Sequence, residues 1–524
     1  MGRVQTRELT IVAQDPHVRV RGRILTARVA LPLEPLLPGP RGSRIHVVDY
    51  DSTTRTLYRP AANLPPDGFA DASDEKLLTN PHFHAQNVYA VAMRILMRFE
   101  RALGRRVAWS FGGHQLKIAP HAFSGPNACY SKPDEALLFG YFPTRRGKRT
   151  VFTCLSHDIV AHETTHALLD GLRSRYTDPS SPDQAAFHEG FADIVALLSV
   201  FSLPECAAVA LGRARRGEWK VRESLLLSLA KQMGRELPGG ARGSLRRSIE
   251  LAPSAHYLRS PEFQAPHRRG EILAAALANA FVEVWQRRLS ALAVRDRALA
   301  VDEGAQAASH LLTMAIRALD YAPPTDITFG DYLSALLTAD FEAARDDSKY
   351  RFRAALRESF RKFGVPPTSP TRQPEPGLWE PPIADLQYAG AHFEALRRDP
   401  DEVFQFLWAN RRALGLFGGA FLRVQSVRPS TRVNDDGFVV RETVAEYVKT
   451  LRLRADELQF LNAPVVKPAG MPDAQSIELY GGGTLIFDEF GKLKYHVRKP
   501  VFDAKRQSER LEFLWRSGHF AERS

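Results

Sequence analysis

The sequence predicts an α+β chain, rich in strands at its start, helical through its middle and mixed again towards its end. Three observations carry this expectation. Short alternating apolar runs fill the first 75 or so residues; apolar residues then recur at three- and four-residue spacing from about 154 to 363; alternation returns beyond a proline-rich stretch at 366–377. The 524 residues are 44% hydrophobic and 25% charged, which is enough apolar content for sizeable cores and too much for a disordered chain. We therefore expect a β-rich lobe over 1–153, a helical lobe over 154–365, a linker at 366–377 and an accessory α+β region, of unassigned role, over 378–524.

Taken in order, ILTARVALPL (24–33) and RIHVVDYD (44–51) read as strands, separated by the turn-forming LLPGPRGSR. From His84 the period changes. Val88, Val91, Ala92, Ile95, Phe99 and Leu103 share one helical face, and Gly104 supplies the stop. VAWSFGG (107–113), HQLKIAP (114–120) and ALLFGYFP (136–143) return to strand character, with NACY (127–130) between them. Helices are expected at 155–173, 182–203, 270–292, 302–320, 329–345 and 347–363, closed by Gly364 and VPPTSPTRQPEPG. A helix at 401–416, strands at 421–427 and 437–451 and a hairpin over 484–497 follow. Gly481, Gly482 and Gly483 precede a strand rather than a helix, so they read as a turn and not as a phosphate cradle.

Composition excludes several functions. The net charge of +12 comes from arginine spread along the chain, with no dense basic block interleaved with aromatics, so no nucleic-acid partner is expected. No run of about eighteen apolar residues occurs, so neither a spanning helix nor a membrane partner is expected. The first residues lack the apolar core of a secretory signal, which points to a cytoplasmic location. Cys129, Cys154 and Cys206 form no CxxC pair and are too few for a disulfide scaffold.

The chemistry is concentrated in AHETTH and FHEGFADIVALL. His162 and His166 are four residues apart, so on a helix both imidazoles face one metal ion, with Glu163 beside them to accept a proton from activated water. Glu189 and Asp193 repeat that spacing on the next helix. A catalytic zinc needs three protein ligands and an open position, and Glu189 supplies the third. Asp193, one turn on, is placed to accept the free ring N–H of a ligating histidine. One Zn2+ per chain is expected. A metzincin would need Gly and His where Leu169 and Leu172 stand, so that class is excluded.

An HExxH helix followed by a Glu-x-x-x-Asp helix resembles the gluzincins, and the thermolysin-like zinc metallopeptidases in particular, over about residues 16–365. The resemblance implies a two-lobed fold with zinc between the lobes, and zinc-dependent endopeptidase activity on a peptide or protein substrate. Asp158, four residues before His162, matches an aspartate of that family. PHRRGEILAAALANAF resembles the segment bearing its catalytic histidine, which implies that role for His267, with Glu262 orienting the ring. Tyr176 falls one residue short of the expected offset for the tyrosine assisting the transition state. SLRR places Arg246 at the substrate carbonyl, NACY places Asn127 and Ala128 along bound peptide, and Ile159 and Leu245 would wall a pocket for Leu, Ile or Phe.

The sequence also departs from that pattern. The acidic residues that would bind paired calcium ions are replaced by apolar IVALLSVFSLP, so calcium is not expected. The Gly-x-Met-Glu-Asn signature of the aminopeptidase branch is absent. His82 and His84 read as capping or core residues, Cys154 as a small buried residue, and His188 as shaping the site. Two other functions fit the same ligands: a zinc hydrolase of a non-peptide amide, and a catalytically silent zinc-containing binding protein.

Overall fold

The computed structural model describes residues 5–61, 67–144, 149–213, 219–221, 251–292, 296–370, 374–382, 385–416, 418–433, 437, 439–461 and 464–520. They fold as a mixture of helix and strand, the α+β class expected. Strand Thr6–Val12 pairs antiparallel with Thr26–Pro32 and buries Leu9, Ile11 and Val12. Beside this hairpin lies a five-stranded mixed sheet. Leu116–Ser124 runs parallel to both Ile45–Val47 and Ala136–Pro143. The far edge of Ala136–Pro143 is taken by Ala128–Ser131 along one stretch and by Thr150–Phe152 along the next, both antiparallel. Segment 107–113, expected as a strand, forms none. The Trp109 indole donates to the His114 carbonyl at 3.2 Å, which folds the chain into a loop over Gly112 and Gly113.

Helix Pro81–Leu103 starts ahead of its apolar periodicity because Asn80 caps it, accepting from the His82 N–H at 2.9 Å, while Pro81 takes a position that needs no donor. It stops at Gly104 in the left-handed conformation, as expected. The helical part comprises His157–Leu172, Pro182–Phe201, Pro266–Ala291, Arg297–Arg317, Phe329–Ala343 and Phe352–Lys362. The last begins five residues later than its apolar pattern suggests, because the Asp347 carboxylate accepts the N–H groups of Phe352 and Arg353, each at 2.8 Å. One apolar core runs through strands and helices alike, from Leu9 to Leu378, and takes in Ile486, Tyr495 and Val497 of the C-terminal region. Each fully buried large side chain contributes roughly 1.5–3 kcal/mol, so the strand-rich and helical parts stabilise one another.

The C-terminal region is a four-stranded antiparallel sheet in sequence order: Phe421–Val433, Val439–Arg454, Ser476–Phe487 and Leu493–Lys499. Helices Pro400–Ala409 and Ala504–Arg516 contribute to its two small cores. Gly481, Gly482 and Gly483 lie inside the third strand and form no turn. Tyr447 stands opposite Gly483, and its ring fills the space a side chain would need, with a Cβ at Gly483 falling 2.7 Å from the phenol oxygen.

Buried ion pairs fasten this sheet to the helical part. Asp320 accepts from Arg105 at 2.6 Å and from Arg432 at 2.5 Å. Glu442 accepts from Arg432 at 2.5 Å, Lys494 at 2.6 Å and the Tyr321 hydroxyl at 2.8 Å. Arg173 pairs with Glu446 at 2.5 Å, and Lys499 with Asp331 at 2.5 Å. Among the described residues no single helix is long and apolar enough to cross a membrane.

Candidate metal centre

Helix His157–Leu172 carries His162 and His166 on one face, with their Nε2 atoms 2.9 Å apart. Glu189, on helix Pro182–Phe201, sets Oε2 3.5 Å from His162 Nε2 and Oε1 3.8 Å from His166 Nε2. All three ligand atoms lie within 4.8 Å of one another. Donor bonds of about 2.0–2.2 Å to a zinc ion put tetrahedral donors roughly 3.5 Å apart, so this spread suits one ion. The donor chemistry suits it too. His162 Nδ1 sits 3.0 Å from Asp193 Oδ1, which fixes a ring proton there and turns Nε2 towards the cluster. His188 stacks on His166, ring centroids 5.5 Å apart, with the two Nδ1 atoms 3.2 Å apart.

The close approach of two helices brings a fourth side chain to the cluster. Helix Pro266–Ala291 crosses Pro182–Phe201 where Gly270 meets Gly190. A Cβ at Gly270 would lie 2.8 Å from the Gly190 nitrogen, and one at Gly190 would lie 2.8 Å from the Gly270 carbonyl. With no side chain between them, His267 reaches Glu189, Nδ1 to Oε2 at 2.9 Å. The start of the helix is held by Arg269, whose Nε donates to Asp183 at 2.6 Å; the other Asp183 oxygen accepts the Phe329 N–H at 3.0 Å.

These contacts set the charges. Burial pushes the Glu189 carboxyl upward, but hydrogen bonds from His162 and His267 outweigh it and hold the group well below the usual carboxylate range. Burial opposes charge on His162, yet Asp193 and Glu189 hold its pKa well above the ordinary imidazole value. Burial and the neighbouring His162 push His166 the other way. The hydrogen bond to Glu189 raises His267.

Glu163, buried on the same helix, accepts the Tyr130 backbone N–H at 2.9 Å; burial raises its carboxyl, partly offset by His162. Tyr130 belongs to strand Ala128–Ser131, which pairs only with Ala136–Pro143 among the described strands. Because the Tyr130 N–H points away from that partner, alternation turns the N–H and C=O of Ala128 to the same open side. Asn127 is exposed, and its carbonyl accepts the Gly140 N–H at 2.8 Å. Ile159 is half-buried against the core. Asp158 is buried in the first turn of the histidine helix, where burial and the charge of Asp15 push it up to about 7.

Two expectations need correction. Tyr176 is buried in the core, edge-on to Phe187, and its hydroxyl donates to the Pro323 carbonyl at 2.6 Å, so it has no free donor for a transition state. A short 3-10 turn, Ser174–Thr177, directs it inward. Glu262 does not orient His267. It is an exposed carboxylate paired with Arg268 at 2.6 Å, and the carboxylate on His267 is that of Glu189. Leu245 and Arg246 lie outside the described residues. Sequence reasoning missed the Tyr130 N–H and the role of Gly190. The one available signal was the pair of glycines, one directly after Glu189 and the other three residues after His267. No family model matches the chain, and no curated protein does either.

Proposed function

We propose that the chain is a zinc-dependent endopeptidase of the thermolysin-like kind, its strand-rich and helical parts acting as two lobes on either side of the metal. The observation that carries this reading is the place of Glu163. It is a buried carboxylate, next in sequence to one ligand of a three-residue cluster, and bonded to the edge of a strand that no other described strand pairs. A metal held only for structure needs no such base.

His162, His166 and Glu189 would hold the zinc, which when bound supplies a Lewis acid and lowers the pKa of water towards about 7. Peptide adds to the open edge of Ala128–Ser131 as a further strand, with Ala128 exchanging backbone hydrogen bonds with it. Glu163 takes the proton of the attacking water and delivers it to the leaving nitrogen. His267, exposed beside Glu189, donates to the oxygen on which charge develops. Tyr176 has no part in the reaction. Ile159 borders the pocket beyond the cut, favouring Leu, Ile or Phe there.

Incubating the zinc-loaded full chain with a diverse peptide library, read by mass spectrometry, tests the proposal. We expect internal cleavage that Glu163→Gln slows by about 10²–10⁴-fold. If the zinc-loaded chain leaves every peptide intact, the peptidase reading fails and hydrolysis of a non-peptide amide or a silent binding role takes its place.

A further inference from the structure

A second histidine pair lies away from the first. His84, in the first turns of helix Pro81–Leu103, sets Nδ1 2.8 Å from Nε2 of His121 on strand Leu116–Ser124. The outer nitrogen of each ring is already committed. His84 Nε2 faces the Leu78 carbonyl at 3.1 Å, an atom that can only accept, so the proton sits on Nε2. His121 Nδ1 faces the Asp49 carboxylate at 2.9 Å, so its proton sits on Nδ1. Two neutral rings with these tautomers point lone pairs at each other across 2.8 Å, and only a cation between them makes such a contact favourable. His162 and His166 approach as closely, Nε2 to Nε2 at 2.9 Å.

The cation could be a proton on His121, giving a chain from Asp49 through an imidazolium to His84. Cys154 argues for a metal. Its Sγ lies within 4.8 Å of a ring nitrogen on each histidine, in the 3-10 turn Thr153–Leu155 that leads into the histidine helix. Two nitrogens and a sulfur are the donors that a borderline-soft d10 ion selects. Charge also balances, since a divalent ion with the Cys154 thiolate and the Asp49 carboxylate sums to zero in a buried place. His84 is 1% exposed, His121 7% and Cys154 0%, too closed for a substrate.

We propose that His84, His121 and Cys154 form a second, buried zinc site that clamps a helix, a strand and the turn preceding the histidine helix. Burial and the nearness of His121 push His84 down to about 3, which keeps that ring neutral and ready to ligate. Burial pushes the Cys154 thiol up, so the ion must displace its proton. The sequence reading of His84 as a core residue and Cys154 as a small buried one agrees with their burial, and the proposal adds a ligand role to both. The site stands independently of the peptidase proposal.

Cobalt(II) separates the two clusters, because only a site with sulfur shows thiolate-to-cobalt charge transfer in the near ultraviolet. The full chain, stripped of metal and reloaded under a thiol-free reductant, should bind two cobalt ions per chain and show that band. His166→Ala should lose one equivalent and keep the band; Cys154→Ser should lose the other equivalent together with the band. If His166→Ala leaves the stoichiometry unchanged, the first cluster is at fault rather than this one. If Cys154→Ser does not fold, the wild-type spectrum still decides. A fully loaded wild-type chain without the band, or a band that survives in a folded Cys154→Ser, overturns the proposal; the former leaves the proton chain in its place.

Discussion

Replacing Gly270 with alanine tests whether the contact between two helices is what positions Glu189. The new Cβ would fall 2.8 Å from the Gly190 nitrogen, 3.0 Å from the Ala186 carbonyl and 3.2 Å from the Glu189 Cβ. Carbon contacts settle at about 3.5–4.0 Å, so the helices must part by roughly 0.5–1 Å. Two energies oppose each other. Alanine gains about 1 kcal/mol over glycine in a helix interior, and overpacking against backbone costs about 1–3 kcal/mol. The net loss of stability is therefore small, roughly 0–2 kcal/mol.

The effect on metal should be larger. The atoms that have to move include the Cβ of a ligand, and metal sites tolerate only about 0.2 Å of error in bond length. We expect zinc affinity, measured by competition with a chromophoric chelator, to fall about 10- to 100-fold, the range seen when groups supporting a ligand are disturbed. Urea unfolding of the metal-free protein should change far less. A Gly270→Ala chain that binds zinc like the wild type, and is about 1 kcal/mol more stable from helix propensity alone, would refute the argument.

Three further outcomes follow from the geometry. Glu163→Gln should keep its zinc while turnover falls about 10²–10⁴-fold, whereas Glu189→Ala should lose zinc on dialysis; wild-type turnover in the first variant would remove Glu163 from the mechanism. Tyr176→Phe strands the buried Pro323 carbonyl and should lower stability by about 1–2 kcal/mol with kcat unchanged, and a large fall in kcat would restore the tyrosine to the chemistry. Asp158 is held up to about 7 in the folded protein against about 3.9 in the unfolded chain, so the folded state binds the extra proton and stability declines as pH rises through that window. Asp158→Asn should flatten the decline, gaining a few kcal/mol at most over the wild type above pH 7 and little near pH 4; an equal difference at both pH values in metal-free protein would contradict this assignment.

What the sequence made legible follows the range of each interaction. Helix periodicity and the four-residue spacing of His162 to His166 and of Glu189 to Asp193 are local, and the folded chain brings those four side chains together. Helix starts were displaced by capping side chains such as Asn80 and Asp347, which apolar periodicity ignores. Tyr176 and Glu262 were misassigned by offsets of one to five residues, too coarse to decide which way a side chain points from a 3-10 turn. The pairing of His84 with His121 and Cys154 joins residues far apart in the chain, so no spacing could announce it.

The C-terminal sheet follows the same rule. Nothing in its alternation marks Glu442 and Glu446 as inward-facing, because charged residues on a strand are ordinarily solvated. They are buried because Arg173, Tyr321 and Arg432 meet them, and those partners come from both sides of the boundary near 378. A buried pair contributes little compared with apolar packing, but removing one member leaves a charge stranded at about 3–5 kcal/mol. Asp320 alone is shared by Arg105 and Arg432, and Arg173, at the end of the histidine helix, is committed to Glu446. The C-terminal region therefore supports the candidate metal centre through Glu446, which neutralises Arg173 at the end of the helix that carries His162 and His166, a charge that could not stay buried without it.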